Sequence, residues 1–299
     1  MRELKTTNEL LRCTSKKTDN VEVKLPRVSV IIPVYNGEKD IEDCILSILN
    51  QNYQNYEIIA VDNNSSDGSS DIISEKFPHV KLLRMKYNAG FAGSVNYGIK
   101  MSNGDVICIL AQDTIVNNDF LTNGVNILYS DDKIGIVSPK IKFYNENLIW
   151  YAGGKILSAR ELIKNKDIKI TSHIGKFELD DGRFDNISET DYATGCAMMI
   201  RREVISKIGL LDDRYFMYFE DVDWCIRAVN KGYKIYYVPS MVAYHKIAKK
   251  ENITINKSVV YLISLFRFLI KRMNIKYTTI WILKFPISAI YTVISKNRR

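Results

Sequence analysis

Short apolar runs alternate with amphipathic segments along the first third of the chain. Residues 28–34, Val-Ser-Val-Ile-Ile-Pro-Val, have the length and the β-branched composition of a buried strand. Apolar residues from Ile41 to Leu49 then recur at helical spacing. The same alternation predicts strands at 57–61, 80–85 and 106–110, and helices at 70–76 and 92–101. A β-α-β-α-β-α-β series of this kind predicts an α/β fold with a mostly parallel central sheet flanked by helices.

Polar side chains follow each of these predicted strands. They are Tyr35 and Asn36 after the first strand, Asp62 and Asn63 after the second, Asn88 after the third, and Gln112 and Asp113 after the fourth. Ligands of parallel α/β sheets bind beyond the carboxyl ends of the strands. We therefore expect these side chains to converge on one binding site.

The second half of the chain is less regular. Its pattern predicts strands at 134–141 and 198–200, a short helix at 204–208 and a long polar connection at 156–191. We expect this half to supply the wall of the site that faces an acceptor.

Three carboxylates lie within an aromatic run at residues 216–227. Glu220, Asp221 and Asp223 are flanked by Phe, Tyr and Trp, so their desolvation is costly unless they meet a proton, a cation or a bound hydroxyl. An apolar wall can raise the pKa of a carboxyl group into the range of a general base. The alternative is a structural helix start, with acids near the positive end of the dipole and Arg227 paired with Asp223 at i, i+4.

The net charge of +8 is concentrated in the C-terminal tail. Residues 246–299 contain twelve lysines and arginines but one acid, Glu251. The five cysteines show no paired CxxC spacing, which favours reduced core residues over structural zinc. The first twenty residues are polar and contain no secretory signal, so we expect a cytoplasmic protein.

The tail contains two apolar stretches, 259–270 and 278–294, which are interrupted by Arg267 and Lys284. Neither reaches the ~20 uninterrupted apolar residues that a spanning helix needs. Basic amphipathic helices with aromatic residues suit an anionic membrane surface, and the alternative is two helices packed on the domain. Nucleic acid is a weaker option because no known nucleic-acid motif is present. We therefore divide the chain into a polar leader (1–26), a main domain (27–245) and a basic helical extension (246–299). For the extension we expect peripheral binding at the inner face of the cell membrane, with packing on the domain as the alternative.

Five segments resemble, in order and spacing, the motifs of family 2 glycosyltransferases of GT-A (Rossmann-like) fold. They lie at 28–36, 61–69, 88–98, 110–114 and 219–223. The resemblance implies inverting transfer of a sugar from a nucleotide-sugar donor to an acceptor hydroxyl, assisted by Mg²⁺ or Mn²⁺. The run at 216–224 is similar to that of the rhamnosyltransferase-like branch, which implies a dTDP- or UDP-sugar donor. The Gln-x-x-Arg-Trp signature of processive synthases is missing, so one sugar per encounter is expected.

The resemblance also assigns roles to individual residues. It implies a catalytic base at Asp221, with Glu220 to orient the base or the acceptor. The implied nucleotide-binding residues are Pro33, Tyr35, Asp62, Asn63, Asn88, Gly90, Asn96 and Gln112. For Asp62 an Asx turn is the structural alternative. The acceptor side is assigned to Thr194, Gly195 and Trp224, and core packing is the alternative for Trp224.

The metal motif departs from the family pattern. Asp113 matches its last carboxylate, but Ala111 replaces the first, and His245 is the candidate second ligand. One carboxylate with diphosphate oxygens and waters can still hold Mg²⁺. The weakened motif leaves open a catalytically silent sugar-nucleotide-binding scaffold. A nucleotidyltransferase is the third option, although no Gly-rich loop for a triphosphate follows the first strand.

Overall fold

The first half of the chain forms the parallel side of a central sheet. The computed structural model describes residues 25–157, 170–247, 255–272 and 279. Its first four strands are β1 (Val28–Val34), β2 (Tyr56–Asp62), β3 (Lys81–Arg84) and β4 (Val106–Leu110). They are mutually parallel in the spatial order β3-β2-β1-β4. The helices between them are α1 (Ile41–Leu49), α2 (Ser69–Lys76) and α3 (Gly90–Lys100). The elements predicted for this half are confirmed to within two residues.

The second half extends the same sheet with strands of mixed direction. Its strands are β5 (Thr114–Val116), β6 (Ile134–Phe143), β7 (Ile149–Tyr151), β8 (Gly154–Ile156), β9 (Thr171–His173), β10 (Ser188–Glu189), β11 (Ala197–Arg201) and β12 (Lys234–His245). Its helices are α4 (Phe120–Leu128), α5 (Arg202–Ile208), α6 (Glu220–Asn230) and α7 (Ile255–Arg272). The sheet continues from β4 through β11, β6 and β12 to β10, with β5 paired to β12 and β7 paired to β6. The strands β8 and β9 form a separate two-stranded antiparallel sheet. β11 runs antiparallel to both of its neighbours, whereas β12 is parallel to β6.

Two features of this half differ from the sequence-based expectations. The stretch at 156–191, expected as a polar connection, contributes to β8, β9 and β10, and its residues 158–169 lie outside the described part. The sequence interpretation also missed the strand β12, although the apolar run at 235–238 and the alternation of buried and partly buried positions are both typical of a strand. Pro239 and Ser240 interrupt the apolar run in the middle of the strand.

The core is built around strands that are covered on both faces. Every residue of β1 and of β4 is buried, as expected for central strands between two helical layers. Cys44, Cys108, Cys196 and Cys225 are buried free thiols, which confirms the prediction of reduced core cysteines for these four. Cys13 lies outside the described residues.

The C-terminal extension is described only in part. Helix α7 contains the first predicted apolar stretch, and the second, at 278–294, lies outside the described residues, as does nearly all of the leader at 1–26. Among the helices that the structure describes, none has both the length and the apolar character needed to cross a bilayer.

Gly90, at the start of α3, has a left-handed backbone with φ 75°, and a Cβ atom there would overlap the carbonyl oxygen of Phe216. Gly90→Ala is expected to lower the free energy of unfolding by about 2–4 kcal/mol, because backbone strain and steric overlap add. Gly232 also has positive φ, 85°, but a Cβ atom added there would meet no other atom within 4 Å. Gly232→Ala should therefore cost only about 1 kcal/mol. Urea unfolding monitored by circular dichroism measures both, and equal losses would contradict the overlap at Gly90.

Candidate active site

The ends of β1 and β4 are joined by the side chain of Gln112. Its Oε1 accepts a hydrogen bond from the Tyr35 N–H at 2.8 Å, and its Nε2 donates to the Tyr35 carbonyl at 3.1 Å. The Tyr35 ring is 48% exposed, so it is free to contact a ligand. Pro33 is buried within β1. Among Pro33, Tyr35 and Gln112, which the resemblance assigned to the nucleotide, Tyr35 has the most exposed side chain.

Asp62 shapes the turn that follows β2. Its Oδ1 accepts from the Ser65 N–H at 3.0 Å and its Oδ2 from the Ser70 hydroxyl at 2.6 Å, and the residue is buried. The alternative of a residue that closes the turn after the strand therefore accounts for the bond to Oδ1, whereas the bond to Oδ2 comes from the Ser70 hydroxyl at the start of α2. A carboxylate has about four acceptor sites, so an additional N–H donor from a base can still be accommodated.

Asn63 holds the loop that leads into α3. Its Oδ1 accepts from the Ala89 N–H at 2.8 Å, and its Nδ2 donates to Asn88 Oδ1 at 2.8 Å and to the Gly90 carbonyl at 3.0 Å. Asn63 is buried, and these bonds engage both its amide nitrogen and its amide oxygen in the interior. The residue thus positions Asn88, which is partly exposed, and Gly90, which is buried at the start of α3.

Two assigned residues instead hold the segment that follows α5. Asn96 is buried, and its side-chain amide makes two hydrogen bonds with the backbone of Leu211, at 2.9 and 3.0 Å. Trp224 has no exposed surface, and its indole N–H donates to the Gly209 carbonyl at 2.8 Å. Because both residues are buried, neither is placed to contact a ligand as expected. Asn96 instead binds the backbone of Leu211, and Trp224 packs in the core.

Asp113 and His245 are brought together by strand pairing. Antiparallel β5 and β12 place Thr114 opposite His245, and the Lys246 N–H donates to the Asp113 carbonyl at 2.9 Å. The Asp113 Oδ2 then lies 3.3 Å from His245 Nε2. The Trp150 ring packs edge-on against the imidazole, with ring centroids 4.6 Å apart. Trp150 was missed by the sequence interpretation, because its position gives no periodic or motif signal.

The electrostatics of this pair favour charge on both groups. Burial opposes ionisation of Asp113, but its hydrogen bond to His245 and the imidazolium charge outweigh burial and lower its pKa. Burial likewise disfavours the charged imidazole, yet Cys196 and Asp113 raise the pKa of His245 to about 10. Without a cation, the two residues therefore form an ion pair.

The same pair fits a divalent ion only as part of a larger ligand set. Within the described ranges, no group of three or more His, Cys, Asp or Glu side chains is arranged to hold a metal. Two donors 3.3 Å apart match neighbouring ligands around an ion with bonds of about 2.1 Å. The Asp113 side chain is 34% exposed, so diphosphate oxygens and waters have access to it. These residues fit Mg²⁺ or Mn²⁺ that is shared with a bound diphosphate.

Glu220 and Asp221 begin helix α6 after two strained residues. Tyr218 and Phe219 have left-handed backbones, with φ 74° and 68°, which bulky residues rarely adopt. Such outliers persist only where the surroundings impose them, and they concentrate at functional sites. Here they immediately precede the first turn of α6, which carries Glu220 and Asp221.

Backbone amides stabilise the Asp221 carboxylate. The Gly195 N–H donates to its Oδ2 at 2.8 Å and the Val222 N–H to its Oδ1 at 2.7 Å. The next residue after Gly195, Cys196, accepts a hydrogen bond from the Ala111 N–H through its carbonyl at 2.8 Å. Its Sγ lies 3.2 Å from Thr114 Oγ1. The short segment from Thr194 to Cys196 therefore links Asp221 to the loop that carries Asp113.

The acidic pair consists of a buried Glu220 and a partly exposed Asp221. Burial raises the pKa of Glu220 well above its ordinary value, and the charge of Asp221 raises it further. Burial also raises the pKa of Asp221, although its backbone hydrogen bonds oppose the shift. Glu220 Oε2 has no hydrogen-bond partner within the described part of the chain, so Asp221 is the better stabilised anion of the two. When the pair carries a single proton, that proton therefore lies on Glu220 rather than on Asp221.

Asp223 has a structural role instead. Its carboxylate is fully buried and pairs with Arg227 at 3.1 Å, which confirms the predicted i, i+4 pair. Lys271 and Arg272 of α7 also contact it, at 3.0 and 2.5 Å. These cations outweigh burial and lower its pKa. Sequence gave no signal for the two α7 contacts, because they depend on how distant helices pack.

Comparison with known proteins identifies the family. The model of the family described as Glycosyl transferase family 2 matches residues 29–209. A relative, the probable glycosyltransferase YdaM of Bacillus subtilis, is 30% identical over 75% of this chain, and the match spans only 51% of that relative. Glycosyltransferase AglE of Haloferax volcanii is 26% identical over 74% of this chain and 67% of its own length. The amylovoran biosynthesis glycosyltransferase AmsB of Erwinia amylovora is 26% identical over 74% and 70%.

Solved structures share the fold. The mannosyltransferase PcManGT of Pyrobaculum calidifontis, in complex with GDP-Man and Mn²⁺, superposes with a TM-score of 0.59 at 17% identity. That match covers 97% of this chain and 85% of PcManGT. GalNAc-T7 with UDP, GalNAc and Mn²⁺ has a TM-score of 0.58 at 18% identity, over 76% of this chain and 45% of its own. The chain belongs to glycosyl transferase family 2 and has the GT-A fold, as the sequence resemblance implied.

Glu220→Gln is expected to stabilise the protein increasingly as pH rises. The pKa of Glu220 is raised in the folded state, so the native protein binds this proton more tightly than the unfolded chain. Wild-type stability therefore falls as pH rises from the ordinary value of 4.5 towards the folded pKa, and the neutral amide avoids that loss. Thermal unfolding at a series of pH values measures the difference. Glu75→Gln, at an exposed position, is the matched control, and a Glu220→Gln effect independent of pH would contradict the buried-acid assignment.

Proposed function

We propose that this member of glycosyl transferase family 2 transfers one sugar, with inversion, from a nucleotide-sugar donor to a hydroxyl of a glycan or lipid-linked acceptor. The observation that carries the proposal is the link from Asp221 through Gly195 and Cys196 to the Asp113 loop. Inverting transfer needs a base on the acceptor side and positive charge at the departing diphosphate. This link joins a candidate base, Asp221, to the loop that carries a candidate metal ligand, Asp113.

Asp221 is the proposed base. Its hydrogen bonds from Gly195 and Val222 fix the carboxylate, and burial raises its pKa toward the range in which it can accept a hydroxyl proton. Glu220, which keeps its proton more readily, orients the acceptor or the base. Thr194 and Gly195 border the acceptor side of this carboxylate.

Asp113 and His245 are the proposed metal ligands. Mg²⁺ or Mn²⁺, when bound, would supply positive charge for the leaving nucleoside diphosphate. Lys246, directly after His245, is already paired with Asp43 at 2.5 Å and Asp40 at 3.4 Å, which fixes the backbone beside the metal pair. The retention of Asp113 without an acid at Ala111 is consistent with metal binding that depends on the donor.

The donor is proposed to be a dTDP- or UDP-sugar, in line with the rhamnosyltransferase-like run at 216–224. Tyr35 offers an exposed ring to the base, Asp62 an acceptor for its N–H, and Asn88, Gly90 and Gln112 border the diphosphate side. UDP and GDP-Man are bound by the two structural neighbours, so both nucleotide classes belong in the test.

The acceptor is proposed to be a precursor of a cell-surface polysaccharide or glycoconjugate. The relative AmsB is named for amylovoran biosynthesis, which supports a polysaccharide pathway. The basic tail at 246–299 supports a peripheral position at the inner face of the cell membrane, where a lipid-linked acceptor would lie. Ala111 favours the silent scaffold as the second candidate, because it removes one metal-binding carboxylate.

Asp221→Asn is expected to keep donor binding and to lose transfer by at least about 10²-fold, because the amide preserves shape but cannot accept the proton. Donor binding is measured by thermal shift, and transfer by nucleoside diphosphate release in the presence of acceptor. Asp213→Asn, at an exposed position on the loop before α6, is the matched control and should behave as wild type. Transfer by Asp221→Asn at the wild-type rate would exclude Asp221 as the base.

One sugar nucleotide of a UDP-, GDP- and dTDP-sugar series is expected to raise the melting temperature, and Mn²⁺ to increase the shift. In the Asp113→Asn variant, the apparent affinity for Mn²⁺, measured from the metal-dependent part of the temperature shift, should fall at least about tenfold. The reason is that the substitution removes the one carboxylate of the proposed metal site. Asp213→Asn again serves as control. A metal-independent shift in the wild type would contradict the metal assignment, and no shift with any donor would favour the silent scaffold.

A further inference from the structure

Helix α7 has an apolar face that the described part of the domain leaves uncovered. Val259, Leu262, Ile263, Phe266 and Ile270 are between 39% and 62% exposed. Their spacing of three and four residues puts them along one side of the helix, which we call the outer face of α7. Five large apolar side chains in one row form a contiguous patch, and patches of this kind mark interaction surfaces.

The outer face of α7 is bordered by cations. Arg214, Arg267 and Lys271 line, together with four of its apolar residues, a shallow groove of about 680 Å³. This groove includes none of the residues of the proposed transfer site. Helix α7 itself carries Lys257, Arg267, Lys271 and Arg272 and contains no acidic residue.

The acid nearest to this border is already neutralised. Asp212 pairs with Arg214 at 2.7 Å and with Lys271 at 2.5 Å. The side chain of Arg214 is nevertheless 66% exposed, so it can contact a second anion. An apolar row with a basic border has the chemistry of a helix that lies in the interface of an anionic bilayer.

The opposite side of α7 is packed on the segment that presents the acidic pair. Leu265, Phe268 and Leu269 are almost completely buried. The Phe268 ring stacks on Phe219 with centroids 5.1 Å apart, and the Ser264 hydroxyl donates to the Met217 carbonyl at 2.8 Å.

Ion pairs also hold α7 against the start of α6. Lys271 and Arg272 pair with the buried Asp223 in the first turn of α6, and Asp221 lies two residues before it. The outer face and the proposed base therefore belong to one packed unit of α6, α7 and the strained residues between Phe216 and Glu220. A surface bound to the outer face of α7 is therefore held in a defined position relative to the acidic pair.

We propose that the outer face of α7 docks on the anionic surface of a membrane and so presents the Asp221 site to an acceptor carried in that membrane. Docking itself stands on the apolar row and its basic border, whereas the choice of a membrane-borne acceptor rests on the proposed function. Charge complementarity selects this occupant, because the border and the helix are positive and a bilayer with anionic lipids is negative. A second copy of this chain would bring like charges together.

The test is co-sedimentation of the full chain with two kinds of vesicle, phosphatidylcholine alone and phosphatidylcholine with phosphatidylglycerol. Wild type should bind the anionic vesicles, and added NaCl should weaken binding. The double variant Ile263→Glu, Phe266→Glu should reduce the partition coefficient at least about tenfold, because it removes two apolar contacts and adds two negative charges. Both positions are at least half exposed, so folding should be preserved, as circular dichroism would verify.

Val229→Glu is the matched control, since Val229 is 49% exposed on α6 outside the outer face. It should bind vesicles as wild type does. Undiminished binding by the double variant, or no binding of the anionic vesicles by wild type, would overturn the proposal. Light scattering that shows a wild-type dimer, dissociated by the double variant, with no vesicle binding would assign the face to a second copy and also overturn it.

The donor thermal-shift measurement separates this proposal from the proposed function. Wild type and the double variant should give the same shift with a sugar nucleotide and Mn²⁺ in the absence of vesicles. If the double variant loses vesicle binding while both proteins keep the donor shift, the loss reports on docking alone. Vesicle binding without any donor shift in wild type would leave docking intact and count against the transfer function.

Discussion

The hydrogen bond from the Gly195 N–H to Asp221 joins the two halves of the proposed site. Asp221 stands on α6, whereas the Asp113 loop follows β4, and the two are connected because Cys196 bonds the backbone of Ala111. The β11 strand that follows this segment is antiparallel to β4, which fixes the register of the connection. The position of the proposed base relative to the Asp113 loop therefore depends on one strand pairing and one backbone amide.

This arrangement requires burial of charge. Glu220 and Asp223 are buried within one helical turn, with the partly exposed Asp221 between them, and unpaired ions in the interior are strongly destabilising. The three carboxylates are stabilised in different ways. Asp223 pairs with three cations from α6 and α7, and Asp221 accepts hydrogen bonds from backbone amides. One carboxyl oxygen of Glu220 has no hydrogen-bond partner among the described residues. The group with the least compensation is the one whose pKa is raised most clearly, and it neighbours the proposed base.

The sequence located the strand-end residues, but it could not tell which of them are consumed by the fold. Asn63 and Asn96 have the same side chain as Asn88, yet their amides bind backbone in the interior. Trp224 likewise has a ring suited to stacking on a sugar, but it fills the core. The chemistry of a side chain is local, whereas its accessibility is set by contacts with segments far along the chain.

The sequence by itself determined the parallel half of the sheet and the family, because strand length, helical period and ordered motifs are properties of contiguous residues. It also determined that α7 is basic and amphipathic. Only the tertiary structure decided that His245 reaches Asp113, since this contact needs β12 paired with β5. It alone decided that α7 holds Asp223 with one side and leaves the other exposed, because the packing of distant helices is set by shape and charge across the whole core.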